Sequence, residues 1–393
     1  MTVKELDSKY VAGTYKRFPV EIVSGKGSVV KDPEGKEYID MGSGIGVTSF
    51  GIADDVWQKA VTDQISKVQH MSNLYYTEPG ALLAQMLCEK TGMKKVFFSN
   101  SGAEANECAI KVARKYAQDK FKDKDCAPED IPYTIVTLKN SFHGRTLTTL
   151  AATGQDHFHE LFQPLTPGFA YAAANSMDEI KAIAKDTKIA GVMIECVQGE
   201  GGVNSLDAQY IRDLRQFTEE NDIILIVDEV QTGNGRTGRL YSYMNFEIMP
   251  DVVSTAKGLA GGLPLGATLL SEKVQNVLGY GDHGSTFGAN PVCCAAAYSI
   301  LSRIDEDLLS RVREKSRYIF DELSNAPGVE SVSGMGLMIG IKAEKSAVDV
   351  VNTCMENGVL CLTAKDKVRL LPALNIPHDV LQKAVDVIKK ACV

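Results

Sequence analysis

The stretch that decides the fold runs from Ile223 to Gln231 and reads IILIVDEVQ. Its first five residues are all aliphatic, which predicts a strand buried on both faces of a parallel sheet. Two acidic residues, Asp228 and Glu229, follow at the carboxyl end of this strand. Open parallel sheets bind ligands beyond the carboxyl ends of their strands. The stretch therefore predicts an α/β fold with Asp228 beside a ligand.

Similar apolar runs alternate with helix-period stretches from about residue 80 to residue 290. We predict strands at 96–98, 134–138, 189–194, 223–227 and 252–255, and helices at 103–118, 177–184 and 207–220. β-rich runs separated by helices indicate a parallel sheet with right-handed crossovers. We therefore expect a large, mostly parallel sheet domain, with helices on both faces, over residues 61–300.

The two ends of the chain have a different pattern. Residues 20–41 contain a hairpin signal, Asp32-Pro33-Glu34-Gly35, between two β-like stretches. Residues 305–393 mix long helices with short strands, one of which we predict at 336–341. We expect residues 1–60 and 301–393 to combine into a smaller α+β domain, with a ligand cleft between the two domains.

The amino-acid composition limits which partners and which cellular compartment we expect for the protein. The 393 residues include 42 Lys and Arg against 50 Asp and Glu, a net charge of −8. This balance argues against a nucleic-acid or anionic-membrane partner, because both need a basic face. No apolar run approaches the ~20 residues that span a bilayer, and the start has no apolar signal region. The nine cysteines are scattered without a C-x-x-C pair, so we expect reduced thiols in the cytoplasm.

The sequence allows three interpretations of Asp228. A carboxylate that holds magnesium would need a phosphate loop G-x-x-x-x-G-K-[ST], and Gly25-Lys26-Gly27-Ser28 lacks both its upstream glycine and its order. A structural acid that caps the strand is the second reading. The third is a carboxylate that pairs with the ring nitrogen of a cofactor.

Two other candidate sites carry little weight. Gly233 to Gly238 matches G-x-G-x-x-G, but residues 228–232 separate it from the strand and no helix period follows. A tight loop therefore fits better than a dinucleotide site. His157 and His159 lie two positions apart with no further ligands nearby, so we expect no metal site.

Lys257 favours the cofactor reading of Asp228. It follows the strand predicted at 252–255 and precedes Gly258. It could be a solvated surface lysine, or an amine whose pKa is lowered by burial so that it can react with an aldehyde. Pyridoxal 5′-phosphate needs such a lysine for its aldehyde and a carboxylate for its ring nitrogen.

Two further segments follow strands and suit this cofactor. In Asn100-Ser101-Gly102-Ala103-Glu104 a strand turns into a helix, whose first N–H groups and the Ser101 hydroxyl could bind a phosphate; an ordinary Ser cap is the alternative. In Ser141-Phe142-His143-Gly144-Arg145, Phe142 could stack on a planar ring or belong to the core. Arg145 could bind a carboxylate through two hydrogen bonds.

These motifs resemble, in order and over nearly the whole chain, those of the class III (subgroup II) aminotransferases of fold type I. The matching segments are FFSNSGAEANECAIKVAR (97–114), SFHGRT (141–146), VQGEGG (197–202), IVDEVQTGNGRTG (226–238), PDVVSTAKGLAGGLPLGA (250–267), HGSTFGANP (283–291) and VRLLPAL (368–374). The resemblance implies a pyridoxal-phosphate enzyme that acts as a homodimer with active sites at the interface.

The resemblance also implies a role for each matching residue. Lys257 would bind the cofactor covalently and shuttle protons, and Asp228 would pair with the pyridine nitrogen. Arg369 would bind the α-carboxylate of the substrate, with Glu200 as its counter-charge. The remaining implied contacts are Ser101, Gly102 and Ala103 with the phosphate, Thr286 of the neighbouring subunit with the same phosphate, Val230 and Phe142 with the two ring faces, Gln231 with the ring hydroxyl, and Arg145 with the substrate.

The implied reaction transfers an amino group from a small amino acid, first of all N2-acetyl-L-ornithine, to 2-oxoglutarate, giving glutamate. Ornithine, 4-aminobutyrate, succinylornithine or a lysine-pathway substrate remain alternative amine donors, and an aminomutase or a non-catalytic cofactor binder remain alternative functions. The chain departs from the family pattern in two places. Gly51-Ile52-Ala53-Asp54-Asp55 replaces Gly-His-x-His-Pro, and Cys196 stands where proline is usual.

Overall fold

The computed structural model describes residues 1–122, 127 and 130–393. The strands are β1 (Ser24–Lys26), β2 (Val29–Lys31), β3 (Glu37–Asp40), β4 (Lys95–Ser99), β5 (Thr134–Leu138), β6 (Phe169–Ala172), β7 (Ile189–Ile194), β8 (Val197–Gln198), β9 (Asn204–Ser205), β10 (Ile224–Asp228), β11 (Val252–Thr255), β12 (Gly266–Leu270), β13 (Val329–Met335), β14 (Met338–Ala343), β15 (Val359–Leu360), β16 (Leu362–Ala364) and β17 (Lys367–Leu370). The helices are α1 (Val3–Tyr10), α2 (Ser43–Gly46), α3 (Asp55–Ile65), α4 (Glu78–Thr91), α5 (Gly102–Phe121), α6 (Leu147–Ala152), α7 (Met177–Asp186), α8 (Ala208–Glu220), α9 (Pro291–Leu301), α10 (Glu306–Leu323), α11 (Ala347–Glu356) and α12 (His378–Cys392). Within these described ranges, every helix is too short or too polar to cross a bilayer.

A seven-stranded sheet in the order β4-β12-β11-β10-β7-β5-β6 forms the centre of the molecule. β10 pairs in parallel with both β7 and β11, and β5 pairs in parallel with β6 and β7. β12 alone runs antiparallel to its neighbours β11 and β4. The mostly parallel sheet predicted from the sequence is therefore confirmed. The inserted antiparallel strand β12 was not predicted.

Helices cover both faces of this sheet, as predicted. Successive residues of β10 point to opposite faces, so Leu225 packs in the same apolar cluster as Leu214 of α8. Ile224 and Ile226 pack instead in a second cluster with α5, which contributes Val112. The strand is fully buried on both sides. This double burial explains why its sequence is continuously apolar rather than alternating.

The two ends of the chain meet in the small sheets. In the sheet β1-β2-β3-β15, the C-terminal strand β15 pairs in parallel with the N-terminal strand β3. The predicted hairpin lies between β2 and β3, where the Asp32 carboxylate accepts hydrogen bonds from the backbone N–H of Glu34 and Lys36. A second sheet has the order β13-β14-β17-β16. The strand predicted at 336–341 begins later, at Met338, because Gly336, with φ 59°, lies in the turn after β13.

The loop that departs from the family pattern lies away from the main cavity described below. Gly51 has φ 79°, and a Cβ there would lie 2.5 Å from the carbonyl oxygen of Gly27. Asp54 caps α3 and forms an ion pair with Arg303 at 2.8 Å. Ile52 and Asp54 line a separate cavity of about 350 Å³. None of the residues from Gly51 to Asp55 lines the cavity that contains Lys257.

Candidate active site

A cavity of about 480 Å³ lies at the carboxyl edge of the large sheet. Segments that follow β4, β5, β7, β10 and β11 converge there, because these parallel strands all end at the same edge. The cavity volume falls in the ~300–1,000 Å³ range of small-molecule sites. Its lining includes Ser101, Gly102, Ala103, Phe142, Arg145, Asp228, Val230, Gln231 and Lys257.

Lys257 contributes a buried amine to this cavity. It begins a short 3₁₀ helix, Lys257–Leu259, two residues after β11 ends. Burial lowers the pKa of Lys257 below the usual value for lysine, although the nearby Glu200 charge opposes that shift. Its φ of 41° lies in the left-handed region, which is uncommon outside glycine and is found at functional sites. The amide of Asn234 donates to the carbonyl of Ala256 at 3.2 Å and so fixes the backbone just before the lysine.

Asp228 is held by three donors. Its Oδ2 accepts from Asn106 Nδ2 at 2.8 Å and from His143 Nδ1 at 2.8 Å, and its Oδ1 accepts from the backbone N–H of Val230 at 2.9 Å. A carboxylate can only accept hydrogen bonds, so His143 carries its proton on Nδ1 in this contact. These contacts fix the orientation of a carboxylate that is only 3% exposed.

The amino end of α5 offers an anion site. Ser101 is the N-cap, and its hydroxyl accepts from the N–H of Glu104 at 3.2 Å. Among the residues that the structure describes, the N–H groups of Gly102 and Ala103 have no such acceptor, as expected for the first turn of a helix. A Cβ on Gly102 would lie 2.6 Å from Val230, so only glycine allows this close packing. The arrangement suits a phosphate.

Phe142 and Arg145 form another part of the wall, and Phe158 lies against Arg145. The guanidinium carbon of Arg145 lies 4.1 Å from the ring centroid of Phe158 and 5.5 Å from that of Phe142. The backbone N–H of Phe142 donates to Glu195 Oε2 at 2.9 Å, which fixes the residue predicted to contact the cofactor ring.

The buried Arg369 and the partly buried Glu200 form an ion pair near the cavity. Arg369 Nη1 lies 2.5 Å from Glu200 Oε1 and 3.1 Å from the side-chain oxygen of Gln231. Burial raises the pKa of Glu200, but the charge and hydrogen bond of Arg369 outweigh burial and lower that pKa below its usual value. Gln231 Nε2 also donates to Glu200 Oε1 at 3.3 Å. Three residues predicted to serve the site are therefore joined in one network.

Thr286 lies outside this cavity, as do Glu200 and Arg369, which are joined to its lining through Gln231. Thr286 is exposed in the segment between β12 and α9. No group of His, Cys, Asp or Glu that could hold a metal ion occurs in the described parts of the chain.

Sequence reasoning missed several residues around the cavity. Asn106 and His143 bind Asp228, yet Asn106 shows only as a polar residue in the buried stripe of α5. Glu195 could have been found by the argument used for Asp228, since it directly follows the buried strand β7. Burial raises the pKa of Glu195 to about 7, with the Asp228 charge adding to the effect and His143 opposing it. Phe158 had no recognisable signal.

These residues fit pyridoxal 5′-phosphate, the cofactor predicted from the sequence. The amine of Lys257 could react with the cofactor's aldehyde, and the buried carboxylate of Asp228 could pair with its ring nitrogen. The first turn of α5 supplies N–H donors without protein acceptors in the described residues. All three features line one cavity of suitable size.

Comparison with known proteins agrees with this geometry. The family model described as aminotransferase class III matches residues 10–392, and this class depends on pyridoxal 5′-phosphate. The acetylornithine aminotransferase of Haemophilus ducreyi is 50% identical over 98% of this chain and 97% of its own, and that of Aquifex aeolicus is 43% identical over 97% and 99%. A solved ornithine aminotransferase from Toxoplasma gondii, with partial occupancy of that cofactor, superimposes with a TM-score of 0.92 at 31% identity, covering 99% and 93%. The chain therefore belongs to the class III aminotransferases.

Proposed function

We propose that this chain transfers the terminal amino group of N2-acetyl-L-ornithine to 2-oxoglutarate, with pyridoxal 5′-phosphate held by Lys257 and Asp228. The observation that carries the proposal is the contrast between two arginines. Arg145 has no ion-pair or hydrogen-bond partner among the described residues, whereas Arg369 is neutralised by Glu200. This contrast suits a site that must accept one substrate with a carboxylate beside the reacting carbon and one without. The Haemophilus and Aquifex relatives carry the corresponding name.

When bound, the cofactor supplies an aldehyde that condenses with amines and a ring that takes up the electron pair of a broken C–H bond. Asp228 would pair with the ring nitrogen and favour its protonated form, and His143 and Asn106 hold Asp228 in its orientation. The first N–H groups of α5 would bind the phosphate. Phe142 and Val230, which line the cavity, would hold the ring.

Lys257 moves the proton. Because burial lowers the pKa of its amine, a larger fraction is neutral near pH 7 than for a solvated lysine. A neutral amine can remove a proton from the substrate carbon and return it at the adjacent position as a general base and acid. The Asn234 contact to Ala256 holds the lysine backbone during both steps.

Arg369 and Glu200 then adapt the site to its two substrates. Glutamate would displace Glu200 and place its α-carboxylate against Arg369. Acetylornithine has no carboxylate beside its reacting carbon, so Glu200 stays on Arg369 and spares a buried, unpaired charge. Arg145 would bind the remaining carboxylate of either substrate.

The proposal is tested by single half-reactions of the purified holoenzyme, followed through cofactor absorbance. A panel would compare acetylornithine, ornithine, 4-aminobutyrate, succinylornithine and glutamate. We expect acetylornithine to have the highest second-order rate constant among the ω-amines. A clear preference for another ω-amine would mean that the proposed amine donor is wrong. It would not affect the assignment to the class III aminotransferases.

We also propose that the active unit is a homodimer in which Thr286 serves the partner's phosphate site. The side chains of Leu74, Tyr76 and Phe287 are apolar and exposed, and Phe287 directly follows Thr286. The segments that carry them are joined by Asn73 Nδ2, which donates to the carbonyl of Gly288 at 2.9 Å. Large apolar side chains exposed on neighbouring segments are typical of a protein interface.

Complementation tests the shared site. Co-expression of Lys257→Ala and Thr286→Ala chains should restore activity in mixed dimers beyond either variant alone. A fully active monomer in sedimentation would contradict the proposal.

The free thiols of the eight described cysteines support a reducing, cytoplasmic location.

A further inference from the structure

Arg145 is an exposed cation with an unusual environment. Its guanidinium has no hydrogen-bond or ion-pair partner among the residues that the structure describes, although it lines the cavity. An arginine side chain free in water samples many rotamers, and ordering it on binding costs conformational entropy. A carboxylate site built on such an arginine therefore needs something that restricts the side chain beforehand.

Aromatic rings provide that restriction. The Arg145 guanidinium lies over the Phe158 ring at 4.1 Å and near the Phe142 ring at 5.5 Å. The two rings are 5.8 Å apart and inclined by 65°, an edge-to-face arrangement. Rings attract the flat face of a guanidinium, whereas its N–H donors lie in the plane of the group. The contact therefore orients Arg145 without using its donors.

Phe158 can act in this way because its loop is tied to the loop of Phe142. Gln155 Nε2 donates to the carbonyl of Ser141 at 3.0 Å, and the N–H of Gly154 donates to the Ser141 hydroxyl at 3.0 Å. Gln155 and Ser141 are both buried. The N–H of Phe158 donates back to the carbonyl of Gln155 at 3.1 Å. These bonds fix the Phe158 ring relative to Phe142 and Arg145.

We propose that Phe158 is a positioning residue that presents the Arg145 guanidinium to the carboxylate of the substrate. This inference rests on the proposed role of Arg145 in carboxylate binding. Phe142 is assigned to the cofactor ring, and Phe158, whose ring also contacts that of His157 at 3.9 Å, is the ring nearer to the arginine. Phe158 then sets the preference for carboxylate-bearing amines over plain amines and leaves the chemical step untouched.

The test measures binding of glutarate, a dicarboxylate without an amine, to the holoenzyme by calorimetry. Phe158→Leu keeps apolar bulk but removes the ring, and we expect glutarate binding to weaken by about 2- to 30-fold, the range of a cation–π contact. Phe158→Tyr keeps the ring and should bind as the parent does. Phe162→Leu, on an exposed phenylalanine of the same segment, serves as the matched control and should also bind as the parent does. The half-reaction of pentylamine, which has no carboxylate, should be unchanged in all three variants.

A double-mutant cycle with Arg145→Gln separates this inference from the proposed function. In the Arg145→Gln background, Phe158→Leu should cause no further loss of glutarate affinity. Unchanged glutarate affinity in Phe158→Leu, or an equal loss in Phe158→Tyr, overturns the role of Phe158 while the role of Arg145 stands. Unchanged affinity in Arg145→Gln overturns the carboxylate role of Arg145 and the inference with it. A loss with pentylamine equal to that with glutarate would mean a merely structural role and would also overturn it.

Discussion

His143 Nδ1 lies 2.8 Å from Asp228 Oδ2, and both side chains are buried beneath the cavity. Among the described residues, His143 Nε2 has no hydrogen-bond partner. The imidazole thus acts as a directed donor to the carboxylate that we assign to the cofactor ring. Its effect on the reaction can be measured.

Replacing His143 by Leu should lower kcat/KM by about 10- to 100-fold, because a hydrogen bond to a charged group contributes ~1.5–3 kcal/mol. His143→Gln can still donate a hydrogen bond and should recover part of that loss. Steady-state kinetics and the cofactor dissociation constant of both variants provide the measurement. Equal losses in Leu and Gln variants would count against a donor role.

Asp228→Asn preserves the shape of the side chain but removes its charge. We expect the variant to keep the cofactor through the first turn of α5, yet to lose transamination by orders of magnitude, because the ring nitrogen no longer keeps its proton. Absorbance measures whether the variant keeps the cofactor, and single-turnover rates measure the loss of transamination. Near-native turnover would refute the role of Asp228.

Lys257 should be the lysine that binds the cofactor covalently. Borohydride reduction of the holoenzyme followed by peptide mapping should place the label on Lys257. Lys315 is the natural competitor, since burial lowers its pKa to about 8. Its amine, however, donates to the carbonyl of Leu374 and lines a different cavity. A label on Lys315 would refute the assignment.

The Arg369–Glu200 pair predicts opposite effects on the two half-reactions. Arg369→Ala should impair the reaction with glutamate far more than that with acetylornithine, because it removes the partner of the α-carboxylate. Glu200→Ala should impair the acetylornithine reaction and spare or improve the glutamate reaction. Single-turnover rates of both variants with both substrates are the measurement. Similar losses in all four combinations would exclude the proposed exchange of Glu200 for the substrate α-carboxylate at Arg369.

Glu195 should make stability depend on pH. Because burial raises the pKa of Glu195 from its ordinary value of 4.5 to about 7, the folded state binds more protons than the unfolded state between these values. The free energy of unfolding should therefore fall as pH rises through this window. In Glu195→Gln this contribution to the slope should vanish. Urea unfolding of the holoenzyme at pH 5, 6, 7 and 8 compares the slopes, and an unchanged slope in the variant would contradict the prediction.

Much of the large sheet followed from local sequence patterns. The strands predicted at 134–138, 189–194 and 252–255 have those bounds in the structure, because continuous burial on two faces imposes an apolar run of matching length. β12 escaped prediction because its mixture of Gly, Ala and Leu has no distinctive period, and its antiparallel place depends on β11 and β4. In the same way, Gly336 looked like the start of a strand but forms the turn before it.

The sequence by itself determined that Asp228 and Lys257 lie at one edge of the sheet, since each follows a buried strand. Only the tertiary structure decided what surrounds them. Asn106 and His143 lie 122 and 85 positions from Asp228 along the chain. Phe158 contacts Arg145 because hydrogen bonds join the two loops that carry them. Periodicity sets the faces of each element, whereas partners of buried polar groups depend on which distant elements pack together.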